Sequence, residues 1–312
     1  MRRWSLPVLS SLVVILCICG VVQAQDDAKI TIHSQRLADN LYMLSGAGCN
    51  HALLIGEDGP LLTDTDMAGF CKKVLAAVKE IADKPVRLVV NTHCHFDHVG
   101  GNENLAKNGA MVIAHQNVRK RMSSEQVLGQ LGTRVPPSPP EALPRITFAK
   151  ELDLHWNGED VRIIHIPPGH TDGDCLVFFQ QADVLHTGDI YFNGVYPFID
   201  VNADGSIDGM IQAVDLALAL ANEDTRIIPG HGKLSNAAEL REYREMLADV
   251  RGRIKKLIKK GKSLEEVLAE KPTKDLDEKW ARGGMKPDVF VGVVYDGLTR
   301  AKPASQPAAK DR

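Results

Sequence analysis

Apolar positions in this chain recur with two periods, and segments of each kind alternate along most of its length. Short strand-like runs come first, over residues 30–33, Leu41–Ser45 and 51–55. The last of these is joined through Glu57-Asp58-Gly59 to Leu61–Thr63, and an acidic-Gly turn between two apolar runs reads as a hairpin. Phe70, Val74, Ala77, Val78 and Ile81 then fall at helical spacing and predict a helix over 67–82, ending before Pro85. Residues 86–90 form a continuous apolar run of strand length. Asn102–Lys107 and Gln116–Met122 read as helical, with 111–114 extended between them. Residues 123–144 hold five of the sixteen prolines and read as a surface loop.

The second half repeats this style. Residues 151–155 and 161–166 flank an Asn157-Gly158 turn, and 175–180 and 184–187 form another strand pair. A helix over 208–221, a strand at Arg226–Ile228, a long helix starting at Ser235 and running to about 260, and a last helix over 288–300 complete the pattern. Glu239 is placed to act as a reciprocal cap for the long helix. The Pro/Ala/Lys segment 301–312 reads as a disordered tail. Hairpins interleaved with helices predict an α/β fold in which helices cover the outer faces of packed sheets, the two halves sharing one core.

The first 24 residues stand apart from this fold. Arg2 and Arg3 precede an apolar stretch over 6–22, and Val22-Gln23-Ala24 offers small residues at the −3 and −1 positions of a signal peptidase site. This is the pattern of a secretory signal peptide, with an uncleaved anchor as the alternative, and it places the mature protein in the periplasm or outside the cell. Its removal takes away Arg2 and Arg3 and leaves 35 basic against 40 acidic residues, a net charge of −5. Nothing in that balance calls for a nucleic-acid partner. The seven basic residues of 251–262 read as a solvated helix face. The 44% hydrophobic and 25% charged composition excludes intrinsic disorder. Cys49, Cys71, Cys94 and Cys175 remain beyond residue 24. They lack a C-x-x-C spacing and read chiefly as small buried side chains, although export permits disulfides.

The chemistry sits where strands end. Asn91-Thr92-His93-Cys94-His95-Phe96-Asp97-His98 follows an apolar strand and gathers three imidazoles and a carboxylate within six residues. On extended backbone, residues i and i+2 point the same way, so His93 and His95 can share one ion while Cys94 points away. Where the chain turns into a helix, Asp97 and His98 can face a second. Imidazole and carboxylate donors suit zinc, and also iron or manganese. His170 in Pro167-Pro168-Gly169-His170-Thr171, Asp189 in His186-Thr187-Gly188-Asp189 and His231 in Ile228-Pro229-Gly230-His231-Gly232 each stand at a strand end beside glycine, and they complete a metal shell. His33, His51, His115, His155, His165 and His186 lack such partner spacing and read as surface or satisfied core residues.

His93-x-His95-x-Asp97-His98, followed in order by His170, Asp189 and His231, resembles the metallo-β-lactamase superfamily over about residues 30–235. Leu61-Leu62-Thr63-Asp64-Thr65 resembles the family's early strand ending in an aspartate that supports the metal loop. The resemblance implies a four-layer αββα sandwich spanning 25–300, with C-terminal helices over 235–300 and the site at one edge of the sheets. It implies one zinc site from His93, His95 and His170, another from Asp97, His98 and His231, and Asp189 bridging both. Together with the N-terminal segment it implies an exported hydrolase in which a hydroxide between two zinc ions attacks an ester, thioester, lactone or lactam carbonyl of a small-molecule substrate. Asp97 would orient that nucleophile and accept a proton. Class B β-lactamases carry cysteine or serine where Asp189 stands, so a strict β-lactamase is the alternative. So is an iron-dependent sulfur oxidoreductase, since sulfur dioxygenases have similar ligands. Tyr191 offers itself as an oxyanion donor or, more simply, as a packing residue, and Tyr196-Pro197-Phe198 as groove lining.

Overall fold

Continuously apolar strands demand cover on both faces, because successive side chains point to opposite sides of a sheet. The computed structural model, which describes residues 30–128 and 132–300, shows where each face goes. The expected signal peptide and the expected tail lie outside those residues. From Thr31 on, the described chain makes one compact unit.

The early strands are β1 (His33–Arg36), β2 (Leu41–Ser45), β3 (His51–Leu54), β4 (Leu61–Thr63), β5 (Leu88–Val90) and β6 (Met111–His115). A short hairpin of β7 (Gln126–Leu128) and β8 (Thr133–Val135) follows, then β9 (Ile146–Phe148). One sheet runs β1-β2-β3-β4-β5-β6-β9, antiparallel as far as β4 and parallel beyond it. The crossovers that parallel pairing requires are α1 (Cys71–Ile81) between β4 and β5, then α2 (Phe96–Val99) and α3 (Asn102–Lys107) before β6. The next helix is α4 (Gln116–Met122). The second sheet holds β10 (Glu151–Trp156), β11 (Glu159–His165), β12 (Cys175–Phe179), β13 (Val184–His186), β14 (Arg226–Ile228) and β15 (Ser235–Asn236) in chain order, with only β13 and β14 parallel. Its helices are α5 (Ile207–Leu220), α6 (Ala237–Lys259), α7 (Leu264–Ala269), α8 (Asp277–Trp280) and α9 (Pro287–Thr299).

Neighbouring residues of one strand divide between two cores. Leu54, Val90, Val177, Val184 and Ile228 fill the space between the sheets. Leu53 and Val89 instead meet Val74 and Val78 of α1, while Leu176, Leu185 and Ile227 meet Met210 and Val214 of α5 and Leu240 and Leu247 of α6. The layers are therefore helix, sheet, sheet, helix, the αββα sandwich that was expected. Each such buried aliphatic side chain contributes about 1.5–3 kcal/mol.

Several boundaries differ from the pattern reading. β1 covers His33–Arg36 in place of 30–33, and α1 starts only at Cys71, after the left-handed backbone of Asp64 and Asp66 (φ 55° and 63°) and a turn. Residues 123–144 contain β7, β8 and a 3₁₀ turn at Pro140–Ala142. Ser235 belongs to β15, and Asn236 caps α6 by accepting from the Glu239 amide. Glu239 does not cap back; its carboxylate accepts from Ser235 Oγ at 2.6 Å.

Candidate metal centre

β4, β5, β13 and β14 all end at the same edge of the sandwich, and the expected residues stand beyond their last positions, except His170, which lies in the loop between β11 and β12. β5 hands the chain to Asn91, whose amide side chain exchanges hydrogen bonds with Asn102 (3.1 and 2.8 Å) and fixes the exit. His93 and His95 come out on one side with ring centroids 4.9 Å apart. Cys94 goes the other way, against Val99, Ala114 and Val118. His95 is the residue before α2, whose first turn carries Asp97 and whose last carries His98. Beyond β13, Asp189 lies in a 3₁₀ turn at Gly188–Ile190. Beyond β14, a Cβ on Gly230 would sit 1.9 Å from Asp189 Oδ1, so only glycine lets these two loops close.

His93, His95 and His170 form one group, and Asp97, His98, Asp189 and His231 form a second. Within each group the ligand atoms lie within 4.8 Å of one another. The hydrogen bonds select which nitrogen every ring of the first group presents. His170 Nδ1 donates to the Phe198 carbonyl (2.8 Å), leaving Nε2 free. His95 Nε2 donates to Asp200 Oδ2 (3.0 Å), leaving Nδ1. Thr92 Oγ1 donates to Asp64 Oδ2 (2.7 Å) and so accepts from His93 Nδ1 (3.1 Å), leaving Nε2. In the second group, His98 Nδ1 donates to Asp64 Oδ2 (2.7 Å), leaving its Nε2. Asp64 thus braces the His98 ring directly and the His93 ring through Thr92.

These free atoms point at each other. His95 Nδ1 and His170 Nε2 are 2.7 Å apart, and two lone pairs at that distance repel unless a cation lies between them. His93 Nε2 is buried with no hydrogen-bond partner, as is Asp189 Oδ1, which approaches His98 Nε2 at 3.1 Å without hydrogen-bonding geometry. Orphaned buried donors and acceptors are rare, and a pair of divalent ions satisfies all of them. The donor set fits.

Electrostatics separates the two groups. Burial, reinforced by His98, holds His93 neutral, far below its ordinary range. Burial, reinforced by His95, brings His170 down to about 4. Burial alone would depress His231 too, but Asp189 and Asp97 raise it to about 10. Burial opposes the charge of Asp97, yet His98 and His231 overcome it and hold the carboxyl at about 2. One group is thus built from imidazoles alone, with His93 and His170 held neutral, and the other is a carboxylate–imidazole cluster. Asp189 Oδ2 lies between them, 3.5 Å from His170 Nε2, 3.8 Å from His93 Nε2 and 3.2 Å from His231 Nε2.

The structure brings all seven expected residues together, and it adds residues that no local pattern marks. Asp200 anchors His95. Asp174 accepts from the amides of His170 (2.8 Å) and Thr171 and from Thr171 Oγ1, and so holds the loop that carries His170. Asn50 Nδ2 donates to the carbonyls of Pro229 and Gly232 (both 2.9 Å), clamping the His231 loop. Tyr191 is a packing residue. It is buried against Tyr243, and its hydroxyl meets Ser235 Oγ at 2.8 Å. The four cysteines among the described residues, Cys49, Cys71, Cys94 and Cys175, are free thiols. His51 and His186 are buried and bonded, to the Thr63 and Asn50 carbonyls respectively. Phe198 and Tyr196 do line the cleft above the site. No helix among the described residues is long and apolar enough to cross a membrane.

A family model described as the metallo-beta-lactamase superfamily matches residues 46–231. A hydroxyacylglutathione hydrolase, GloC, from Haemophilus influenzae is 27% identical over 187 residues, which are 60% of this chain and 87% of that protein. Among solved structures, a metallo-beta-lactamase from Pontibacter korlensis aligns with a TM-score of 0.56 at 17% identity, covering 70% of this chain and all of that one. The sec-alkylsulfatase Pisa1 from Pseudomonas sp. aligns with a TM-score of 0.66 at 19% identity, covering 86% of this chain and 50% of its own. At such identities the two structures speak for the fold.

Proposed function

This chain belongs to the metallo-beta-lactamase superfamily and is a metal-dependent hydrolase, and within that frame we propose an exported dinuclear zinc enzyme acting on an ester, thioester, lactone or lactam carbonyl of a small molecule. The observation that carries this reading is the convergence of seven potential ligand side chains, with His93 Nε2 and Asp189 Oδ1 buried among them without a hydrogen-bond partner. His93, His95 and His170 would hold one ion, Asp97, His98 and His231 the other, and Asp189 would span both. Zinc, when bound, supplies Lewis acidity, polarising a carbonyl and making water acidic near neutral pH.

The chain's own residues supply orientation and proton handling. Asp97 is 21% exposed at its side chain, against 4% for Asp189, so it is the more open of the two carboxylates on the cleft floor. Its Oδ2 is held 3.4 Å from His231 Nε2 and 3.6 Å from His98 Nε2, a fixed position from which it orients the attacking water and takes its proton. Phe192 and Phe198 flank the histidines and exclude bulk water. The aspartate at 189, where thiolate β-lactamases carry cysteine, favours the broader carbonyl-hydrolase reading over a strict β-lactamase.

The test is metal analysis joined to turnover of a panel holding a cephalosporin, a thioester and a lactone. Two zinc per chain with hydrolysis of at least one member is the expected result. Asp189→Asn, which removes a negative charge from between two dications, should drop zinc toward one per chain and the rate by orders of magnitude. Stoichiometric iron in the active protein, or full metal and rate in Asp189→Asn, would overturn the assignment.

A further inference from the structure

The cleft above the site has a volume of about 600 Å³, within the range of sites for small organic ligands. Its floor is polar, with His95, Asp97, Asp189 and His231. Its walls are largely hydrocarbon, from Phe96, Phe192, Phe198, Leu128, Val195 and Met285, and the polar lining groups are engaged elsewhere, the Asn193 amide with the Lys233 carbonyl and Glu239 and the Tyr196 hydroxyl with Asp277. The phenyl rings begin at the floor itself. Phe192 is stacked on His231 with centroids 5.1 Å apart, and Phe198 meets His95 edge-on at 5.7 Å. No lysine or arginine is among the described residues that line the cleft. Arg282, next to the lining residue Gly283, directs its Nε to the Glu278 carbonyl.

The outer wall is also held in place. Gly283 lies so close to Val195 that a Cβ there would meet its Cγ1 at 2.9 Å. The neighbouring Tyr196 donates its amide to the Trp280 carbonyl (2.7 Å) and its hydroxyl to Asp277 (2.9 Å), and stacks on Phe290 at 4.7 Å. The segment after Asp189 is thereby fastened to α8 and α9, beyond the part of the chain that the family model matches.

We propose that this cleft selects substrates that are uncharged along their length and carry a hydrocarbon chain or ring beside the scissile carbonyl, and that it discriminates against those bearing a carboxylate. This deepens the hydrolase reading and rests on it. Positive charge in the site is confined to the floor, where the reacting carbonyl sits. A carboxylate laid along phenyl, leucyl and methionyl side chains gives up water and gains no partner. A methylene in the same place gains about fourfold in binding, equivalent to ~0.8 kcal/mol.

The experiment uses the zinc-loaded chain and matched thioesters, each acyl group from acetyl to octanoyl carried on butanethiol and on glutathione. kcat/KM should rise about fourfold per methylene until the wall is filled. The butanethiol ester should exceed its glutathione counterpart by at least about tenfold. Met285→Arg should narrow that gap by raising the glutathione series. Binding gives an independent readout: a neutral N-alkyl amide should raise Tm, and its ω-carboxylated analogue should not. A flat chain-length series, or preference for glutathione thioesters and carboxylated amides, overturns the substrate class and leaves the hydrolase intact. Absence of turnover with every carbonyl compound overturns the hydrolase reading, and the inference falls with it.

Discussion

Asp200→Asn is the sharpest perturbation of the proposed metal centre, because the two oxygens of Asp200 have separate duties. Oδ2 accepts from His95 Nε2 at 3.0 Å, and Oδ1 accepts from the amides of Asn202 and Ala203 at 3.0 and 3.2 Å. Asparagine has one oxygen and must choose. If that oxygen keeps the two amides, its NH2 faces His95, and the ring must accept there and carry its proton on Nδ1, the nitrogen that the first metal group needs. If the oxygen turns to His95, the turn at Val201–Ala203 loses its cap, about 0.5–2 kcal/mol. Partners that orient a ligating histidine are worth roughly 10–100-fold in metal affinity, or about 1.4–2.8 kcal/mol. The site is buried and the change keeps size, so little of this is recovered by relaxation. Competition of the zinc-loaded protein against a chelator should show one ion weakened within that range and the other within about threefold of wild type. Nitrogen-15 chemical shifts of the metal-free protein should show His95 switching tautomer. Unchanged affinity for both ions, with His95 still protonated on Nε2, would refute the proposed role of Asp200.

Two other expectations are independent of the metals. His115 stacks on His165 with centroids 3.6 Å apart, and burial together with its neighbour pulls its pKa down to about 4 from an ordinary 6.5. A histidine with a depressed folded pKa adds stability above its unfolded value and loses it as pH falls, here between about 6.5 and 4. Tm should therefore drop faster through that window in wild type than in His115→Asn, which keeps a cap for α4 and carries no charge; parallel Tm profiles would contradict it. The proposed export predicts a mature N-terminus near Gln25 outside the cytoplasm, and N-terminal sequencing that returns Met1 from a soluble cytoplasmic fraction would remove it.

What could be read from the chain beforehand follows from the range over which each interaction acts. The interior strands were legible because every position of runs such as Leu176–Val177 and Ile227–Ile228 is covered, so apolar character persists whichever core a residue faces. The seven residues of the site were legible because they cluster in the loops that follow such runs, and four of them fall within six positions. β9 and α8, with three and four residues, are too short to show a period, and the polar ends of β7 and β8 hide a hairpin among prolines.

Asp200 is a different matter. It acts on His95 from 105 residues away, through a contact that exists only after the two sheets have packed, and its neighbours Ile199 and Val201 mark nothing about a carboxylate between them. Asp174 is nearer to the residue it serves, four positions beyond His170, but its target is the backbone of the Pro167–Thr171 loop, and nothing in the side-chain pattern marks that. The same reasoning separates two kinds of information in the site. Which residues can donate to a cation is local, written in residue type and spacing. Which nitrogen His93, His95, His98 and His170 offer is set by Thr92, Asp200, Asp64 and the Phe198 carbonyl, and only Phe198 lies beside the cleft. A change at these partners should therefore alter metal affinity while leaving every ligand in the sequence untouched.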